Sequence, residues 1–101
     1  MTEKLKSERM DELFRAVLTL KDINECYAFF DDLCTVSEVC EMSKRLEAAK
    51  MLHEGRVYTE ISELTGLSTT TVSRVSRSLR YGSNGYRLVF ERLEGGSKKS
   101  E

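Results

Sequence analysis

The stretch from Tyr58 to Arg77, YTEISELTGLSTTTVSRVSR, constrains the fold most. One glycine, Gly66, divides two short runs whose apolar residues recur at helical spacing. Ile61 and Leu67 on one side and Val72 and Val75 on the other are spaced to meet between two short helices. Gly66 falls where the chain must turn with positive φ, which glycine adopts without steric cost. Ser62 is small where the second backbone must approach the first, and Ser68 is a natural N-cap for the second helix. Two short helices joined by a tight glycine turn make a helix-turn-helix, predicted over about 58–80.

The remaining sequence also reads as helix. There is no proline, and no segment alternates as a strand would. Met10, Leu13, Phe14, Val17 and Leu18 form one apolar stripe over about Glu8–Leu20. Asp22 and Glu25 pair as a capping box for a second helix carrying Ile23, Cys26, Tyr27, Phe30 and Leu33. Thr35 and Glu38 form another, opening a long helix from Val36 to about Glu54. Its predicted apolar face is Val39, Met42, Leu46, Ala49 and Leu52/His53, and Gly55 is its left-handed stop. After the helix-turn-helix, Tyr81–Gly85 is a turn cluster. A short last helix over 86–93 is predicted to anchor through Leu88, Val89 and Phe90. The expectation is an all-α chain of about six helices. One domain spans 1–93, and 94–101, which lacks apolar residues, forms a disordered tail. The long apolar faces of the first three helices exceed what two short terminal helices can cover, so a homodimer is expected.

The distribution of charge points to a class of partner. The whole chain is net −1, which by itself argues against nucleic acid. Residues 1–54, however, carry 8 Lys/Arg against 12 Asp/Glu, and residues 55–101 carry 8 against 5. Residues 66–90 hold Arg74, Arg77, Arg80 and Arg87 and no acid. Such asymmetry is a signature of nucleic-acid contact. With Val72 and Val75 inward, the second helix presents Thr69, Thr70, Ser73, Arg74, Arg77 and Arg80 outward. Short hydroxyls lead and arginines follow, which suits a helix entering the major groove N-terminus first. Ser68, at the start of that helix, completes the DNA-binding set. The alternative is a helix-turn-helix adaptor that binds protein through the acidic first half.

Other classes find little support. Cys26, Cys34 and Cys40 are odd in number and lack CxxC spacing, which fits reduced, buried thiols rather than a disulfide framework. His53 is the only histidine, so no metal site and no cofactor are expected. No group of residues has the pairing that catalysis needs, and the chain is not read as an enzyme. The charged N-terminus lacks a signal-peptide core and no apolar run could span a bilayer, so a cytoplasmic protein is expected.

Thr59–Ser62, Leu64–Ser68 and Thr71–Val75 resemble bacterial repressor helix-turn-helix units. The wider layout covers about Leu13–Leu93: two N-terminal helices, Thr35 opening a long helix containing Arg45, then Gly55 and the motif. It is similar to the Trp repressor superfamily, and within it to the YerC/YecD family of small bacterial proteins. The resemblance implies an intertwined homodimer with one recognition helix per subunit, acting as a transcriptional repressor on a palindromic operator. It also implies an effector site at Thr35, Arg45 and Arg74, where two guanidinium groups could clamp a carboxylate. Where the family lines its indole pocket with two leucines, this chain has Asp32 and Cys34, and where it has a glycine, this chain has Val75. Those departures disfavour tryptophan as corepressor and leave another small molecule open.

Overall fold

The structure is a computed structural model that describes residues 6–100, with side chains described through Gly95. Six helices and no strand are found among the described residues. They are α1 (Glu8–Leu18), α2 (Ile23–Leu33), α3 (Val36–His53), α4 (Tyr58–Thr65), α5 (Thr69–Tyr81) and α6 (Gly85–Ser100). The described residues fall into two compact units, one ending at Cys40 and the other starting at Glu41.

The first unit is built by its caps. The Ser7 hydroxyl accepts from the Met10 N–H at 3.1 Å and starts α1. The Asp22 carboxylate accepts from the Glu25 N–H at 2.9 Å, and Glu25 reaches back to the Lys21 N–H at 2.9 Å. Thr35 and Glu38 close the predicted box: the Glu38 N–H donates to Thr35 Oγ1 (3.1 Å) and the Thr35 N–H to Glu38 Oε1 (2.8 Å). The Thr35 N–H, and after it the Thr35 hydroxyl, hold the Glu38 carboxyl below its usual range. Each bond of the box satisfies an amide that the helix itself cannot. The Phe29 and Phe30 rings meet edge to face with centroids 5.7 Å apart.

Burial in this unit departs from expectation. No described residue up to Cys40 is buried. Phe14, Leu18, Ile23, Tyr27 and Leu33 all stay exposed, although their helical stripes were predicted to face inward. Cys26 and Cys40 are likewise exposed, and Cys34 is half-buried, so the expectation of buried cysteines is corrected. The physical reason is that the two short helices of this unit cannot cover these faces within it.

The second unit has a core of Ala48, Ala49, Met51, Ile61, Leu67, Val72, Val75, Leu79 and Phe90, with Leu52 and Tyr86 packed against it. Ile61 and Val72 are fully buried, each such side chain contributing about 1.5–3 kcal/mol of transfer free energy. In α3 the buried face is Ala48, Ala49 and Met51, while Met42 and Leu46 are exposed. Gly55 (φ +86°) ends α3: its N–H donates to the Leu52 carbonyl, and the Arg56 N–H reaches the Met51 carbonyl, both at 3.0 Å. That double bond pattern is the Schellman stop. In α6 the anchor is Phe90 rather than Leu88 and Val89, which are exposed. The Phe90 ring lies 5.6 Å from His53, the last residue of α3, and 6.1 Å from Tyr86.

The α6 backbone continues to Ser100, where the sequence predicts a disordered tail from residue 94. Its sequence there is polar but contains no proline, so nothing sterically stops the helix, and the glycines at 95 and 96 cost only about 1 kcal/mol each. Glu101 lies outside the described residues.

Candidate nucleic-acid interface

The helix-turn-helix is α4 and α5. Gly66 has φ +80°, and its N–H donates to the Ser62 carbonyl at 2.9 Å. A Cβ there would meet nothing nearer than Lys44 Nζ at 3.8 Å. Glycine is therefore required by the backbone angle, not by crowding. Ile61, Leu67, Val72 and Val75 are all buried, as their spacing predicts. Ser62, chosen as a small residue, also donates its hydroxyl to the Leu67 carbonyl across the turn.

Three further supports hold the motif together. Buried Thr65 donates to the Ile61 carbonyl at 2.7 Å and accepts from the Leu67 N–H at 3.2 Å, so one hydroxyl spans the turn. The Tyr58 hydroxyl bonds Ser76 Oγ at 2.7 Å, tying the start of α4 to the middle of α5. Arg87, on α6, donates from Nε to the Leu79 carbonyl at 3.2 Å, holding the last turn of α5. Thr65, adjacent to Gly66, carried a weak local signal as a turn residue. The other two contacts join positions 18 and 8 residues apart and carried none.

Helix α5 starts at Ser68, whose hydroxyl accepts from the Thr71 N–H at 3.1 Å. Ser68 is thus engaged as a cap. Thr69, Thr70, Ser73, Arg74 and Arg77 together line one open concavity of roughly 420 Å³. Arg80 is exposed one turn beyond. The opposite side of the helix holds the buried Val72, Val75, Ser76 and Leu79. Ion pairs among the described residues are Glu12–Arg15, Glu41–Arg45 and Arg56–Glu60, and none involves Arg74, Arg77 or Arg80. Among the described residues, Arg56, before α4, is in an ion pair. Its hydrogen bond to Glu60 (2.9 Å), aided by its charge, holds the Glu60 carboxyl below its usual range. Among the described residues, the helix face thus has three arginines without an ion-pair partner behind a leading edge of hydroxyls.

The expected effector residues do not share one element. Thr35 belongs to the first unit and is engaged as the α3 cap. Arg45 pairs with Glu41 at 3.4 Å, and Arg74 lines the α5 concavity. Val75 is a core residue. Among the described residues no group of three or more His, Cys, Asp or Glu could hold a metal ion, and no helix is long and apolar enough to cross a membrane.

An all-helical chain whose helix-turn-helix ends in a basic, hydroxyl-led helix has a fold that suggests a DNA-binding regulator. The family model described as Trp repressor protein matches residues 8–94. The chain belongs to the Trp repressor family. It is 48% identical to the uncharacterized protein YerC of Bacillus subtilis (strain 168), over 91% of this chain and 88% of that one. A crystal structure of a TrpR-like protein from Eubacterium eligens is 54% identical, with a TM-score of 0.87 over 91% of this chain and 95% of that one. A Staphylococcus aureus crystal structure is 49% identical, with a TM-score of 0.86 over 91% and 92%. The family is regulatory rather than enzymatic.

Proposed function

We propose that the protein is a sequence-specific transcriptional repressor that binds a palindromic operator as a homodimer in the bacterial cytoplasm. The observation that carries this reading is the outer face of α5. Thr69, Thr70, Ser73, Arg74 and Arg77 line one concavity, and the arginines have no acidic partner among the described residues. A helix surface serving only as a solvated exterior mixes signs, and an adaptor for a basic partner needs acids here. In DNA the leading hydroxyls meet base edges while the arginines meet phosphates or guanine. The helix N-terminus adds a favourable field toward phosphate.

Dimerisation is supported by the exposed apolar side chains of α1 and α2, which a second copy would cover. Twofold symmetry then calls for half-sites about one helical turn, roughly 34 Å, apart. A small-molecule effector at Thr35, Arg45 and Arg74 is the less supported part of the reading. Thr35 and Arg45 already have partners of their own, and tryptophan is disfavoured by Asp32, Cys34 and Val75.

The test is selection of bound duplexes from a genomic library at physiological salt, with and without free amino acids. The expected result is a palindromic consensus bound with steep salt dependence. Absence of salt-dependent binding to any duplex, with recovery of one stoichiometric protein partner instead, selects the adaptor reading.

A further inference from the structure

Tyr81 is the last residue of α5 and is 82% exposed. An apolar ring so bare, two residues from buried Leu79, is out of keeping with the rest of the helix. Its position in the helical register explains it. Thr70, Arg74, Arg77 and Tyr81 stand at i, i+4, i+7 and i+11, one continuous stripe. That stripe lies opposite the buried Val72, Val75, Ser76 and Leu79. The aromatic residue therefore continues the line of the proposed DNA contacts.

The end of the helix is also fixed in place. The Gly82 N–H donates to the Ser78 carbonyl at 2.9 Å, and Arg87 holds the Leu79 carbonyl. Tyr81 is thus presented from an ordered turn. From Thr70 to Tyr81 the helix rises about 16 Å at 1.5 Å per residue. The major groove is about 12 Å wide. With the hydroxyl-bearing end among the bases, the stripe outruns the groove, and its far end comes level with a phosphate strand.

We propose that Tyr81 is a DNA-positioning residue whose phenolic O–H donates to a backbone phosphate oxygen. This rests on the DNA-binding reading of α5. Tyrosine suits the task because its rigid ring carries the donor out from the helix at small entropic cost, and phosphate contacts set register without reading sequence.

The test uses duplexes selected by the unmodified protein. Tyr81→Phe keeps the ring and removes only the donor, so the fold is preserved, which circular dichroism checks. Affinity is expected to fall about five- to tenfold. The loss is equal across sequences, and the salt slope is unchanged because no charge is removed. Replacing single phosphates by methylphosphonates identifies one position per half-site where the unmodified protein loses affinity and Tyr81→Phe loses none further. If Tyr81→Phe binds as tightly as the unmodified protein, or loses affinity only on particular sequences, the phosphate role is overturned while the DNA-binding reading stands. If the unmodified protein binds no duplex, both fall.

Discussion

Single residues divide the work of the motif between shape and recognition. Gly66 belongs to shape. At φ +80° any side chain is strained, so Gly66→Ala is expected to destabilise the protein by about 1–3 kcal/mol in denaturant melts. Space is not at issue, and the loss measures the backbone angle alone. Arg77 belongs to the proposed DNA-contacting face. Arg77→Ala is expected to weaken binding evenly across sequences and to flatten the salt slope by about one unit. Changes at Thr70 or Ser73 are expected to alter sequence preference instead, which parallel selections measure. Equal losses from both kinds of change would contradict this division.

Elements are held by hydroxyls and caps as much as by the core. Thr65 is buried, and its one hydroxyl serves both sides of the turn. Thr65→Val keeps the shape but strips the Leu67 N–H of its acceptor, an expected loss of about 1–3 kcal/mol in unfolding experiments. At the start of α3, Glu38 is hydrogen-bonded to Thr35, and its carboxyl titrates lower when folded than when unfolded. A depressed carboxyl contributes stability that is full above its unfolded pKa and is lost as pH falls through the folded value. Thermal unfolding should therefore show an acid-side loss that Glu38→Gln removes. This box was plain in the sequence because both partners lie within one turn. Gly66 and the four apolar residues around it were equally plain, because helical periodicity fixes them locally. The Tyr58–Ser76 and Arg87–Leu79 bonds were not, since they depend on how separate helices pack. Nor was the anchor of α6. Three adjacent apolar residues, Leu88, Val89 and Phe90, left its register ambiguous, and packing beside His53 and Tyr86 selected Phe90.

At the scale of the whole molecule, hydrophobic periodicity was a sound guide to helix but not to burial within one chain. Met10 through Leu18 form the expected stripe on α1, yet Leu18 is 82% exposed. The same surplus supports the proposed dimer. Sedimentation is expected to give twice the mass of the 11.6 kDa chain, and the thermal midpoint is expected to rise with protein concentration. Leu18→Glu should shift the equilibrium toward single chains and weaken operator binding together, while an unchanged sedimentation coefficient would count against α1 as the interface.

The first unit, none of whose described residues is buried, has a genetic corollary. If its interior is supplied only by another subunit, repression depends on subunit encounters. When the protein is scarce, the active form varies with the square of expression, so modest changes in transcription give sharp changes in output. A subunit carrying Arg77→Ala but intact α1 and α2 would still be taken up as a partner. Co-expressed with the normal protein, it should act as a dominant negative, disabling mixed pairs in proportion to its share.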